Sequence, residues 1–89
     1  MKELKQTTQF KKDLKRIQNN PTRIAALKEA LKILERTGSL PPNYNPHPLS
    51  GMYKGFMECH IENDLLLIWI DFSKDIIKLI RLGSHSDLF

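Results

Sequence analysis

Six consecutive apolar residues, Leu65 to Ile70, constrain this chain more than any other feature. Polar turn sequences bracket the run, Glu62-Asn63-Asp64 before it and Ser73-Lys74-Asp75 after it. A run so short and so bounded reads as a central β-strand buried on both faces. It is far shorter than the ~20 residues that cross a bilayer. Strand neighbours lie on either side. Phe56 to Ile61 alternates, with Phe56, Glu58 and His60 on one face and Met57, Cys59 and Ile61 on the other. Ile76 to Leu82 gives a third strand that ends at Gly83. The two tight turns make an antiparallel meander, and its central strand needs cover on both sides.

The first half of the sequence supplies one cover. Met1 to Gln6 alternates weakly and reads as a short edge strand. Thr7 or Thr8 then offers a hydroxyl to cap a helix whose apolar stripe is Phe10, Leu14 and Ile17. Asn19-Asn20-Pro21 ends that helix and starts another, with Asn20 as cap and Pro21 at the first helical position. Ile24, Leu27, Leu31 and Leu34 form the second stripe, which stops near Gly38. The expected architecture is α+β: an N-terminal strand and a two-helix hairpin packed on an antiparallel sheet, with residues 1–89 as a single domain. Between the halves, Gly38 to Lys54 lacks periodicity and holds four of the five prolines, so it is expected to be a stiffened, functional loop.

Composition narrows the setting. The opening residues MKELKQTTQF lack the apolar core of a signal peptide, and no segment suits a membrane. A single cysteine cannot form an intramolecular disulfide, so a reducing cytoplasmic location is expected. The formal charge of +4 is unevenly placed: residues 1–36 carry ten Lys or Arg against four Asp or Glu, and residues 37–89 four against six. A basic N-terminal half suits a polyanion or an acidic partner, and equally a pair of solvated helical faces.

All three histidines lie in the second half: His47 in the proline-rich loop, His60 at a strand end, His85 beyond the last strand. The sheet face away from the helices is expected to carry Glu58, His60 and Arg81, with Asp64 in the adjoining turn. His47 and His85 can reach that face from the loop and the tail. Intervals of 13 and 25 between the histidines match no metal-ligand rhythm, so no metal is expected. There is no glycine-rich phosphate loop. Cys59 and His60 point to opposite faces, which disfavours a thiol nucleophile and leaves Cys59 as core. Several imidazoles and a carboxylate near basic groups suit proton transfer at a phosphodiester.

Three segments together carry a resemblance. They are His47-Pro48-Leu49-Ser50-Gly51-Met52-Tyr53-Lys54-Gly55-Phe56, then His60-Ile61-Glu62-Asn63-Asp64, then Arg81-Leu82-Gly83-Ser84-His85-Ser86-Asp87-Leu88-Phe89. This combination resembles the YafQ-type toxins of the RelE/ParE superfamily of bacterial toxin–antitoxin modules, and the order of elements resembles it along the whole chain. The resemblance implies a ribosome-dependent endoribonuclease that cuts messenger RNA without a cofactor and is neutralised by a tightly bound cognate antitoxin. It places the catalytic set on His47, His60, Asp64 and His85, and substrate contacts on Arg81, Glu58 and the terminal Phe89. His85 is then the general acid, His47 or Asp64 the general base, and His60 and Arg81 steady the phosphate. Glu58 stands in place of an aspartate, and Leu65 where relatives often carry tryptophan, which removes the basis for base stacking at that position. Lys11, Lys12, Lys15 and Arg16, on the basic helices, are expected to dock on ribosomal RNA. A ParE-like inhibitor of DNA gyrase and a basic RNA-binding module remain alternatives at this point.

Overall fold

A computed structural model describes residues 1–89. In chain order the elements are β1 (Glu3–Gln6), α1 (Thr8–Ile17), α2 (Pro21–Thr37), β2 (His47–Pro48), β3 (Met57–Glu62), β4 (Leu65–Ser73), β5 (Ile76–Gly83) and a closing turn of helix, α3 (His85–Leu88). The five strands form one sheet in the order β1-β5-β4-β3-β2. β1 runs parallel to β5 at one edge, and the other pairings are antiparallel.

The helix ends follow the expected chemistry. Thr7 Oγ1 accepts from the Phe10 N–H at 3.2 Å and donates to the Leu79 carbonyl at 2.8 Å, capping α1 and pinning it to β5 at once. Asn20 Oδ1 accepts from the Arg23 N–H at 3.2 Å, with Pro21 following as the first residue of α2. Gly38 ends α2 at φ 80°, its N–H reaching the Leu34 carbonyl at 2.8 Å.

The alternation of the strands divides the apolar residues between two cores. Against the helices lie Phe10, Ile17, Leu27 and Leu34 from α1 and α2, with Cys59, Leu65, Leu67, Trp69, Ile77, Leu79 and Leu82 from the sheet. On the opposite face Leu66, Ile68 and Leu88 are buried together, with Leu49, Phe56 and Ile80 packed around them. The central strand is thus covered on both sides, as its composition demands. The second cover is the tail and the proline-rich segment.

One expectation needs correction here. Gly38 to Lys54 is not structureless: it holds 3-10 turns at Pro42–Tyr44 and Gly51–Tyr53 and the strand β2 between them. Its few backbone hydrogen bonds follow no hydrophobic period, which is why a pattern search passes over them. The tail is also folded, because Ser84 Oγ accepts from the Asp87 N–H at 3.2 Å while Asp87 Oδ2 accepts from the Ser84 N–H at 3.0 Å. That reciprocal capping box starts α3. No helix is long and apolar enough to cross a membrane.

Candidate active site

The short strand β2 exists to deliver one side chain. His47 lies opposite Glu58 in the β2–β3 register. Its Nε2 is 3.1 Å from Glu58 Oε1, and its Nδ1 is 2.8 Å from the Asn45 carbonyl. Asn45 adopts φ 50°, the left-handed turn that swings this carbonyl beneath the ring. Each ring nitrogen of His47 thus lies within hydrogen-bond distance of an oxygen, which fixes the orientation of the imidazole. Glu58 is 3% exposed, and its second oxygen, Oε2, has no hydrogen-bond partner. A buried carboxylate oxygen in that condition is costly unless something else approaches it. His60 follows two residues along the same face of β3, its ring centroid 6.2 Å from that of His47.

A second group forms where β3 turns into β4 and the chain ends. Asp64 Oδ1 accepts from the His85 N–H at 3.1 Å, so the turn carboxylate holds the first residue of α3. The His85 ring lies 5.5 Å from that of Phe89. Phe89 in turn meets Tyr53 at 5.5 Å, nearly edge to face. Phe89 remains 55% exposed and is not a core residue. Between the two groups the sheet presents Leu66 and Ile68: His60 pairs with Leu66, which pairs with Gly83, and Glu58 pairs with Ile68, which pairs with Arg81. The strands therefore carry both groups on the face away from the helices.

Arg81 has a partner that no motif foretold. Its Nε donates to Asp13 Oδ2 at 2.8 Å and its Nη2 to Asp13 Oδ1 at 3.4 Å. β1 stops at Gln6, opposite Leu79, so β5 has a bare edge from there on. Asp13 of α1 closes it by also accepting the Leu82 N–H at 2.9 Å. Burial pushes the Asp13 carboxyl up, but the hydrogen bonds from Arg81, Leu82 and Gln9 outweigh it and hold the group below its ordinary value. The bond to Asp13 likewise raises Arg81. Asp13 sits inside the Phe10–Ile17 stripe at 1% exposure, where a charge looks like a break in the pattern, and only its distant partner explains it.

Other expected residues fall as follows. Lys11, Lys12, Lys15 and Arg16 are all exposed along α1. Leu65 is fully buried on the helix side and offers no stacking surface. Cys59 is core, its thiol pushed up to about 12 by burial and then by the Glu58 charge, so it is no nucleophile. No three His, Cys, Asp or Glu side chains converge as a metal set. The larger cavity, about 400 Å³ between α1 and α2 and lined by Leu14, Ile24, Leu27 and Leu31 among others, lies apart from the histidines. Sequence reasoning passed over Asp13 and Tyr53. The second was signalled by an aromatic between two glycines in an aperiodic loop.

A five-stranded sheet covered by helices on one face, with imidazoles and carboxylates on the other, places the chain in a class of small toxins from bacterial type II toxin–antitoxin systems. Residues 2–89 match the model of one such family, described as the bacterial toxin of type II toxin–antitoxin system, YafQ. The chain belongs to that family. It is 32% identical to the mRNA interferase toxin YafQ of Escherichia coli K12 over 89 residues, covering 99% of this chain and 96% of that protein. Among solved structures, a metal-bound toxin from Helicobacter pylori superposes with a TM-score of 0.86 at 38% identity, with both chains fully covered. The Escherichia coli DinJ-YafQ toxin–antitoxin complex matches with a TM-score of 0.84 at 31% identity, covering 99% of this chain and 97% of that one.

Proposed function

We propose that this toxin is a ribosome-dependent, metal-independent endoribonuclease that cuts messenger RNA and is neutralised by a bound cognate antitoxin. The observation that carries the reading is the pair of groups on one sheet face, His47–Glu58–His60 and Asp64–His85. The mRNA interferase relative in Escherichia coli supports the activity, and the DinJ complex supports the antitoxin.

In the reaction a base removes the proton of a ribose 2′-hydroxyl, and the oxygen attacks the adjacent phosphorus. The bond to the 5′-oxygen breaks, an acid protonates that oxygen, and a 2′,3′-cyclic phosphate remains. His85, at the first position of a short helix, is the acid. Of the two candidates for the base, His47 has both ring nitrogens engaged, with Glu58 and with the Asn45 carbonyl. Asp64 keeps Oδ2 uncommitted and takes the role of base. His47, His60 and Arg81 then face the charge that builds on the phosphoryl oxygens. Glu58 acts by holding His47. The exposed lysines and arginine of α1 meet ribosomal RNA phosphates, a contact that weakens with salt.

The metal-bound Helicobacter pylori relative makes metal dependence a direct question. The test uses toxin stripped with EDTA and desalted, then added to mRNA alone and to mRNA on Mg²⁺-replete ribosomes. Cleavage should occur at the full rate on ribosomes and be negligible on naked mRNA. Restoration by added zinc or copper would contradict metal independence, and equal cutting of naked mRNA would contradict ribosome dependence.

A further inference from the structure

Phe89 is the last residue and half exposed, yet it is held in place. Its N–H donates to the His85 carbonyl at 2.9 Å, and its ring stands at 78° to that of Tyr53. The Tyr53 ring also lies 6.0 Å from that of Phe56, tilted by 52°. Tyr53 closes the 3-10 turn Gly51–Tyr53, which lies between Gly51 at φ 66° and Gly55 at φ 97°. Within the same turn Met52 is 99% exposed. A single loop ring therefore adjoins the tail aromatic, with His85 one helical turn before it.

Tyr53 meets Phe89 nearly edge to face and the His85 ring lies tilted against it, and Phe89 still keeps 55% of its surface open. Two aromatic surfaces set nearly at right angles make a corner. A base stacked on one ring meets the second along its edge, which stops the sliding and rotation that one ring permits. Stacking on aromatic rings is how unpaired bases are commonly held. We infer that Tyr53 and Phe89 together form the seat for one unpaired nucleobase beside the scissile phosphate, with Tyr53 fixing the orientation of both ring and base. This inference rests on the nuclease reading above.

The experiment compares the unaltered toxin with Tyr53→Ala, Tyr53→Leu and Tyr53→Phe on ribosome-bound mRNA, and on the same mRNA made abasic at either nucleotide flanking the cut. Tyr53→Leu keeps apolar volume under Phe89, and melting curves confirm that each variant is folded. On normal mRNA, Tyr53→Ala and Tyr53→Leu should cut roughly 5- to 150-fold more slowly, the span expected for one lost base stack, while Tyr53→Phe stays within about twofold. On one of the two abasic mRNAs the unaltered toxin should slow similarly, and the penalty of Tyr53→Leu should vanish. A penalty that persists unchanged on both abasic mRNAs, or none on normal mRNA, would overturn the inference while leaving the nuclease reading intact. Failure of the unaltered toxin to cut any mRNA would overturn the nuclease reading, and this inference with it.

Discussion

Asp13 shows how much one residue can tie together. Its carboxylate joins α1, the bare edge of β5 and the side chain of Arg81, and it does so almost wholly out of water. Replacing it with Asn keeps an acceptor but removes the charge, leaving the guanidinium partly unpaired. We expect Asp13→Asn to destabilise the fold by about 2–3 kcal/mol, less than a fully buried pair would lose because solvent reaches Arg81. In a chain of this size that is a fall of roughly 10 °C or more in melting temperature. The pH dependence has a definite sign. A carboxyl held below its ordinary value of 3.8 binds fewer protons folded than unfolded, so its contribution is complete above that value and is lost as the pH falls through the folded one. Urea titrations below pH 5 should therefore show a shallower acid loss of stability for Asp13→Asn than for the unaltered protein. Equal slopes would mean that the pair does not hold the group down. Nothing in the local sequence marks this residue, because periodicity records which positions are apolar and says nothing about which charge is paired across 68 positions.

Among the elements, α3 and α1 carry the clearest expectations. α3 is a single turn that depends on its capping box, and His85 is its first residue. Removing the cap with Ser84→Ala costs about 1 kcal/mol locally. It should slow cleavage several-fold while the global melt barely moves, since the lost order is confined to the tail. A large drop in melting temperature with an unchanged rate would place α3 in the fold and outside the site. For α1, reversing Lys11, Lys12, Lys15 and Arg16 to Glu should leave folding largely intact, because all four side chains are exposed. Ribosome pelleting at two salt concentrations should show weaker and less salt-sensitive binding. Unchanged binding would assign this face to the antitoxin. The main elements were legible because each had a local cause: Thr7, Asn20 and Gly38 at helix ends, alternation in β3, and the turns around β4. β2 was not legible. Two residues carry no period, and His47 pairs with Glu58 through a loop that only the folded chain closes.

The molecule as a whole answers the demand of its central strand. Leu65, Leu67 and Trp69 need one cover and Leu66 and Ile68 another. The helical hairpin supplies the first, and the second comes from the segments that carry His47, Tyr53, His85 and Phe89. Folding the second core therefore brings the candidate groups onto one face, and the burial of Leu88 against Leu66 and Ile68 belongs to the same step. Strand alternation made the face of Glu58 and His60 legible, and the resemblance joined His47, Asp64 and His85 to them as a set. Their grouping was not legible, since it depends on Asn45, on β2 and on the Asp64–His85 backbone contact. The most direct test of the account concerns His85 as the proton donor to the leaving oxygen. Single-turnover cleavage on ribosomes should be measured for His85→Ala on normal mRNA and on mRNA whose scissile 5′-oxygen is replaced by sulfur, a leaving group that needs no proton. The account predicts a loss of roughly 100-fold or more on normal mRNA and a rate near that of the unaltered toxin on the sulfur-bridged one, in a variant with an unchanged circular dichroism spectrum. Equal impairment on both substrates would contradict the assignment of His85 as general acid, and full activity on normal mRNA would remove it from the site altogether.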